Sequence, residues 1–269
     1  MIRILFLADT HLGEGLAVSP GMNLANINST FFDNFHKALE PAFEKKVDFV
    51  VHGGDVYYRS KFPDTLIYLA FERIKQVAEL GIPFVIVPGN HERSKIKTTL
   101  FTSHPNIHIF SKPSVFNFNI NGTSIAFAGF SNDRNNIREN FTKLVHKTGW
   151  QPGNADINLL CMHQTVEGAQ VGAKNFTFKY GSDIIPGNNL PEGFSAYLSG
   201  HIHRHQVLTH DLRGVPFPAP FIYAGSTERT SAQENCEEKG YLILELEKSV
   251  VTANALKNIE FFKLTSAFR

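Results

Sequence analysis

Cysteine is scarce: Cys161 and Cys236 are the only two in 269 residues, far apart and with no CxxC pair. That excludes a disulfide scaffold and a thiolate zinc ribbon, and it points to a reducing compartment with buried thiols. An excess of either charge is missing as well, with 26 Lys and Arg against 25 Asp and Glu. No global positive field therefore draws the chain to nucleic acid, and any such binding must come from a local patch. Long apolar runs are absent too. Asp9 cuts off the apolar start at residues 2–8 before a signal peptide could be completed, and no other stretch approaches a membrane span. Repeats, low-complexity linkers and a domain boundary are likewise lacking. These absences predict a soluble cytoplasmic protein in which residues 1–269 form one domain, with 42% apolar residues to fill its core.

Several short apolar runs end in a polar, Gly-rich corner, the pattern of buried strands feeding loops at one sheet edge. Residues 2–8 end at "ADTH", 47–52 at "GGD" and 83–87 at "PGNHE". Helical spacing of Phe31, Phe32, Phe35, Leu39 and Phe43 predicts a helix over 29–46. A second helix is expected from Pro63-Asp64 to the stop at Gly81. The order β-α-β-α-β implies parallel strands with crossover helices. Further on, Asn121-Gly122 marks a hairpin between 115–120 and 124–130. A helix over 137–146 and strands at 157–162, 196–199, 205–209, 221–224 and 240–246 follow. So many strands favour an α/β fold of two packed sheets with helices outside. Residues 165–195 read as a long loop.

Asp9 and His11 follow the first strand, Asp55 the second, and Asn90 and His91 the third; His163 ends "INLLCMH", and His201 and His203 stand in "GHIHRH". Carboxylate, amide and imidazole without thiolate suit manganese, iron or zinc in five- or six-coordinate geometry. Two such ions need a bridge, and a carboxylate can turn one oxygen to each. Corners at the C-terminal ends of strands are where open α/β sheets place ligands.

"DTH" at 9–11, "GGD" at 53–55, "GNHE" at 89–92, His163 and "GHIH" at 200–203, in that order, resemble the signature blocks of the calcineurin-like metallophosphoesterases. "SGHIHRHQ", "YAGSTERTSAQE" and "KGYLILELE" are similar to the corresponding stretches of SbcD-type DNA-repair exonucleases, the nuclease subunits that pair with an SMC-like ATPase. The resemblance implies a four-layer sandwich of two mixed sheets flanked by helices, and a dinuclear site. Position by position, it assigns Asp9, His11, Asp55 and His203 to one divalent ion, and Asp55, Asn90, His163 and His201 to the other. It makes His91 the non-ligand histidine that orients the phosphate or protonates the leaving oxygen. A metal-bridging hydroxide then hydrolyses a phosphodiester, most simply in DNA, with Mn2+ as the expected metal and Fe or Zn as alternatives. His205 is expected at the rim, and His52 either as a structural histidine or behind a ligand. Larger family members continue into a capping domain that is not evident within 1–269, and some dimerise, for which the second helix with Tyr68 and Phe71 is a candidate.

One departure stands at Tyr58, where archaeal and eukaryotic SbcD-type nucleases commonly carry His. It is expected either to donate to a substrate phosphate or to cover the site. Arg93 and Lys95, with Lys97, form a basic loop beside the third corner that could grip a nucleic-acid backbone, and Arg204 and Arg229 extend it. A metallophosphoesterase for a small phosphodiester or a phosphoprotein, and a non-catalytic scaffold of the same fold, are the alternatives to a DNA nuclease.

Overall fold

The computed structural model describes residues 1–14, 30–58, 64–92 and 104–266. β1 (Ile2–Leu7), α1 (Thr30–Phe43), β2 (Phe49–His52), α2 (Asp64–Glu79) and β3 (Phe84–Ile86) alternate as the periodicity predicts, and β4 (Ile107–Ile109) adds a short strand that it does not. The hairpin β5 (Ser114–Ile120) and β6 (Thr123–Gly129) turns at Asn121-Gly122, both at positive φ, as expected. α3 (Ile137–Lys147) and β7 (Ile157–His163) come next. The expected loop over 165–195 instead holds four two-residue strands: β8 (Thr165–Val166), β9 (Gln170–Val171), β10 (Phe176–Thr177) and β11 (Ile184–Ile185). Strands this short carry no readable alternation, so the Gly, Asn and Pro content outweighed them. β12 (Ala196–Gly200), β13 (Gln206–His210), β14 (Pro216–Tyr223), β15 (Lys239–Leu246) and β16 (Leu256–Leu264) complete the chain.

Two six-stranded sheets result, in the orders β16-β15-β1-β2-β3-β4 and β13-β14-β12-β7-β6-β5. β1 to β4 run parallel, as do β6, β7, β12 and β14, while β15, β16, β13 and β5 pair antiparallel. Both sheets are therefore mixed. Side-chain alternation along β1 shows how the layers form: Ile4 and Phe6 enter the core between the sheets, while Leu5 and Leu7 meet the layer of α1 and α2. Phe49 packs between Phe118 and Phe127 of the facing sheet, with ring centroids 5.2 and 5.1 Å away. Burial of such a ring contributes about 1.5–3 kcal/mol. Ile137 and Phe141 of α3 cover the outer face of the second sheet. The layers run helix, sheet, sheet, helix, the architecture expected. The parallel strands β1, β2 and β3 of one sheet and β7 and β12 of the other end at a common edge, where their loops meet.

Candidate metal centre

The ladder between β1 and β2 continues beyond both strands and sets the first two corners against each other. The N–H groups of Asp9 and His11 donate to the carbonyls of Gly54 and Asp55 at 2.9 and 3.0 Å. Asp9, His11, Asp55 and His201 all hold positive φ, of 50°, 41°, 54° and 83°. None is glycine, so each backbone stores strain of order 1 kcal/mol or more, which surrounding bonds must hold in place. Glycine is required next to them. A Cβ on Gly54, itself at φ 109°, would lie 2.4 Å from His163 Nδ1, and one on Gly89 would lie 2.2 Å from Asp55 Oδ1.

The side chains meet in two groups. His11 Nε2 lies 3.0 Å from His203 Nε2, which is 3.9 Å from Asp9 Oδ1. Asn90 Oδ1 lies 2.9 Å from His163 Nε2 and 2.8 Å from His201 Nδ1. Asp55 stands between, its Oδ2 3.3 Å from His163 Nε2 and 4.0 Å from His11 Nε2. Ligand atoms of Asp9, His11 and His203 fall within 4.8 Å of one another, as do those of Asp9, Asp55 and His163. His11, Asp55 and His91 meet the same limit.

Asp9 and Asp55 are buried, and among the described residues no lysine or arginine pairs with either. Burying a carboxylate uncompensated costs several kcal/mol. Burial lifts Asp9 to about 6 even though His163 and His203 pull it down. Burial also opposes the charge on Asp55 and on His163, yet each supports the other: Asp55 is held well below the usual carboxylate range, and His163 rises to about 9. Burial and the His163 charge push His201 down to about 3, and burial with the His203 charge pushes His11 well below its ordinary value. Among the described residues, His11 Nδ1 is buried and has no hydrogen-bond partner. Two buried carboxylates amid imidazoles, two of which, His11 and His201, burial keeps neutral, with no lysine or arginine beside them among the described residues, form a donor set that suits divalent cations.

His91 is built differently. Its Nδ1 is 2.5 Å from the Tyr58 carbonyl, its N–H donates to Asp55 Oδ1 at 2.7 Å, and its side chain is 34% exposed. With Nδ1–H given to a carbonyl, Nε2 is the nitrogen presented to the cleft, 3.8 Å from Asp55 Oδ2. The Tyr58 ring stacks on His91 at 5.8 Å and meets His11 edge-on at 6.2 Å, so the aromatic covers the site wall. Arg204, expected at the rim, has its guanidinium engaged by Glu237 Oε1, Asn175 Oδ1 and the Gly172 carbonyl at 3.2, 2.8 and 2.7 Å. Arg229 Nη2 reaches the Glu237 carbonyl at 3.5 Å. Arg93, Lys95 and Lys97 lie outside the described residues.

Alternation does not carry all three histidines of "GHIHRH" to one face. β12 stops at Gly200, and the left-handed turn at His201 breaks the extended run. His205 turns away: its ring stacks on Phe261 at 4.6 Å and its Nδ1 lies 3.0 Å from the Tyr223 carbonyl. His52 supports the corners rather than a ligand directly. It accepts from Gly54 N–H at 3.2 Å and faces Thr10 Oγ1 at 3.1 Å, and burial together with the His163 charge lowers it to about 3. Glu92, missed in the sequence, takes N–H bonds from Gly89, Asp55 and Tyr57 at 2.6, 3.1 and 3.1 Å and so ties the second corner to the third. Its place in "GNHE" was the available signal.

Fold and site together define a metal-dependent phosphoesterase. Residues 2–205 match the calcineurin-like phosphoesterase family, and the chain belongs to it. Members of this class hydrolyse phosphoesters at a dinuclear divalent centre. Among relatives, the chain is similar to DNA double-strand break repair protein Mre11 of Sulfurisphaera tokodaii, at 27% identity over 78% of this chain and 51% of that protein. It is similar to the Mre11 of Methanopyrus kandleri at 26% identity, over 89% of this chain and 51% of the relative. Similarity to the uncharacterized metallophosphoesterase YhaO of Bacillus subtilis is 26%, over 90% of this chain and 57% of that protein. The chain spans about half the length of these relatives. The crystal structure of TT1561 of Thermus thermophilus shares the fold, with a TM-score of 0.59 at 10% identity, covering 97% of this chain and 98% of that one. Among the described residues, no helix is long and apolar enough to cross a membrane.

Metal removal gives the first test of the donor set. Adding Mn2+ to chelator-stripped protein at about 100 times its Kd is expected to stabilise the fold by about 2.7 kcal/mol. For a chain of this size that raises Tm by roughly 5–10 °C in a thermal melt. An unchanged Tm would contradict a metal-binding centre.

Proposed function

We propose that the chain is the phosphodiester-cleaving unit of a DNA-processing nuclease of the Mre11 and SbcD type, acting in the cytoplasm with residues 1–269 as one nuclease domain. The convergence of Asp9, His11, Asp55, Asn90, His163, His201 and His203 at one sheet edge is the observation that carries this reading. Relatives named for DNA double-strand break repair supply the substrate class. Asp9, His11, Asp55 and His203 would hold one divalent ion and Asp55, Asn90, His163 and His201 the other, with Mn2+ preferred and Fe or Zn compatible with the same donors. When bound, such a pair polarises phosphoryl oxygens and brings a water within reach of deprotonation near neutral pH. His91 Nε2 meets the phosphoryl or leaving oxygen, oriented by the Tyr58 carbonyl. The Tyr58 ring walls one side of the cleft, and Arg93 and Lys95 contact the DNA backbone. An SMC-like ATPase partner and a homodimer belong to the same proposal. On α2, Tyr68 is exposed for such a contact, whereas Phe71 is buried in the core.

Tyr58, standing where a histidine is common in SbcD-type nucleases, favours a second reading: a metallophosphoesterase for a small phosphodiester. Assays with Mn2+ on single-stranded DNA, duplex ends and a chromogenic diester separate the two. For the nuclease, kcat/KM on DNA is expected to exceed that on the diester by at least about tenfold, because contacts remote from the scissile bond assist the reaction. Diester turnover without DNA cleavage would establish the second reading, and no turnover of any substrate would reject both.

A further inference from the structure

His203 is gripped from behind. Its Nδ1 lies 3.1 Å from Glu234 Oε1 and 3.2 Å from Thr230 Oγ1, while Nε2, across the ring, faces His11 and Asp9. A carboxylate can only accept, so Nδ1 carries a hydrogen, and Nε2 is the nitrogen left to offer a lone pair toward the centre. Glu234 is itself fixed. Thr230 Oγ1 donates to its Oε1 at 2.6 Å, and Lys239 Nζ donates to its Oε2 at 2.6 Å. The buried Lys239 ammonium also reaches the His203 carbonyl at 3.0 Å and Glu237 Oε2 at 3.4 Å. One ammonium thus holds both the backbone of His203 and the carboxylate that aims its ring. Glu237 extends the chain of contacts to Arg204 Nε at 3.2 Å and to Gly172 N–H at 3.0 Å.

Stability alone does not account for this cluster, since well-packed apolar side chains of similar volume commonly match or exceed a buried ion pair. An ionic clamp does what an apolar one cannot: it fixes which nitrogen is protonated. Resting on the reading of His203 as a metal ligand, we propose that Glu234, clamped by Lys239, is a positioning residue that sets the tautomer and ring orientation of His203 for the metal centre.

Glu234→Gln is the direct test. Glutamine offers one acceptor oxygen in place of the carboxylate's two, which serve three donors, His203 Nδ1–H, Thr230 Oγ1–H and the Lys239 ammonium, so either the His203 and Thr230 side or the Lys239 side loses its acceptor. Calorimetric titration of Mn2+ into the metal-stripped full chain is expected to show two sites in the wild type, with one weakened about 10- to 100-fold in the variant. Glu238→Gln, which alters an exposed carboxylate of the same loop paired with Lys263, is expected to leave both sites unchanged. Histidine 15N spectra of the metal-free wild type are expected to show His203 protonated at Nδ1, and this measurement decides alone if the variant does not fold. Unchanged Mn2+ affinities in Glu234→Gln, or an Nε2–H tautomer for His203, would overturn the proposal. A wild type that takes up no Mn2+ would instead remove the ligand reading on which it rests.

Discussion

Asp55→Asn is expected to lose both metal ions and about a thousandfold in turnover while remaining folded. The substitution is nearly isosteric, and its Oδ1 can still accept the His91 N–H bond that Asp55 accepts at 2.7 Å, so the junction between the second and third corners survives. What changes is the other oxygen. Asp55 Oδ2 lies between His163 and His11, and an amide nitrogen there has no lone pair for a cation and directs its hydrogens at imidazole nitrogens. Losing a bridging charge of this kind removes roughly 4 kcal/mol of transition-state stabilisation, which corresponds to the thousandfold figure. Metal analysis after desalting, kcat on a diester and a circular dichroism spectrum measure the three parts. Retention of two ions by a folded Asn variant would mean that Asp55 is not the bridge.

Legibility in the sequence followed the length of the periodic segments. α1 and α2 were readable because Phe31, Phe35 and Leu39, and Phe71, Ile74 and Val77, repeat at helical spacing. β4 and the edge strand β16 were not. β4 has three residues, and β16 mixes intermediate and exposed positions without a regular alternation, so neither separates from loop by pattern. The corners were readable because chemistry-bearing residues followed apolar runs directly. The sequence pattern could not supply the left-handed turns at Asp9, His11, Asp55 and His201, since those conformations are imposed by neighbours distant in the chain. For the same reason nothing in the sequence singles out Glu234 and Lys239. Only pairing β15 with β1 brings Lys239, which opens β15, beneath the His203 loop.

His91→Gln is expected to keep both metal ions and lose about 10²- to 10⁴-fold in kcat, the range usual for a positioned acid or base. His91 Nε2 lies 3.8 Å from Asp55 Oδ2, and His91 meets Asp55 and His11 within ligand range, so the ring could in principle join the donor set. Against that, its side chain is the more exposed one, at 34% against 2% for His11, as suits a group that meets substrate. Leaving-group dependence tells proton donation from phosphate orientation. If Nε2–H protonates the departing oxygen, the loss should be large for an alkyl leaving group and small for p-nitrophenolate, which needs no proton. A uniform loss across leaving groups would point to orientation of the phosphate instead. Release of an ion from the glutamine variant, measured by metal analysis, would make His91 a ligand and contradict both roles.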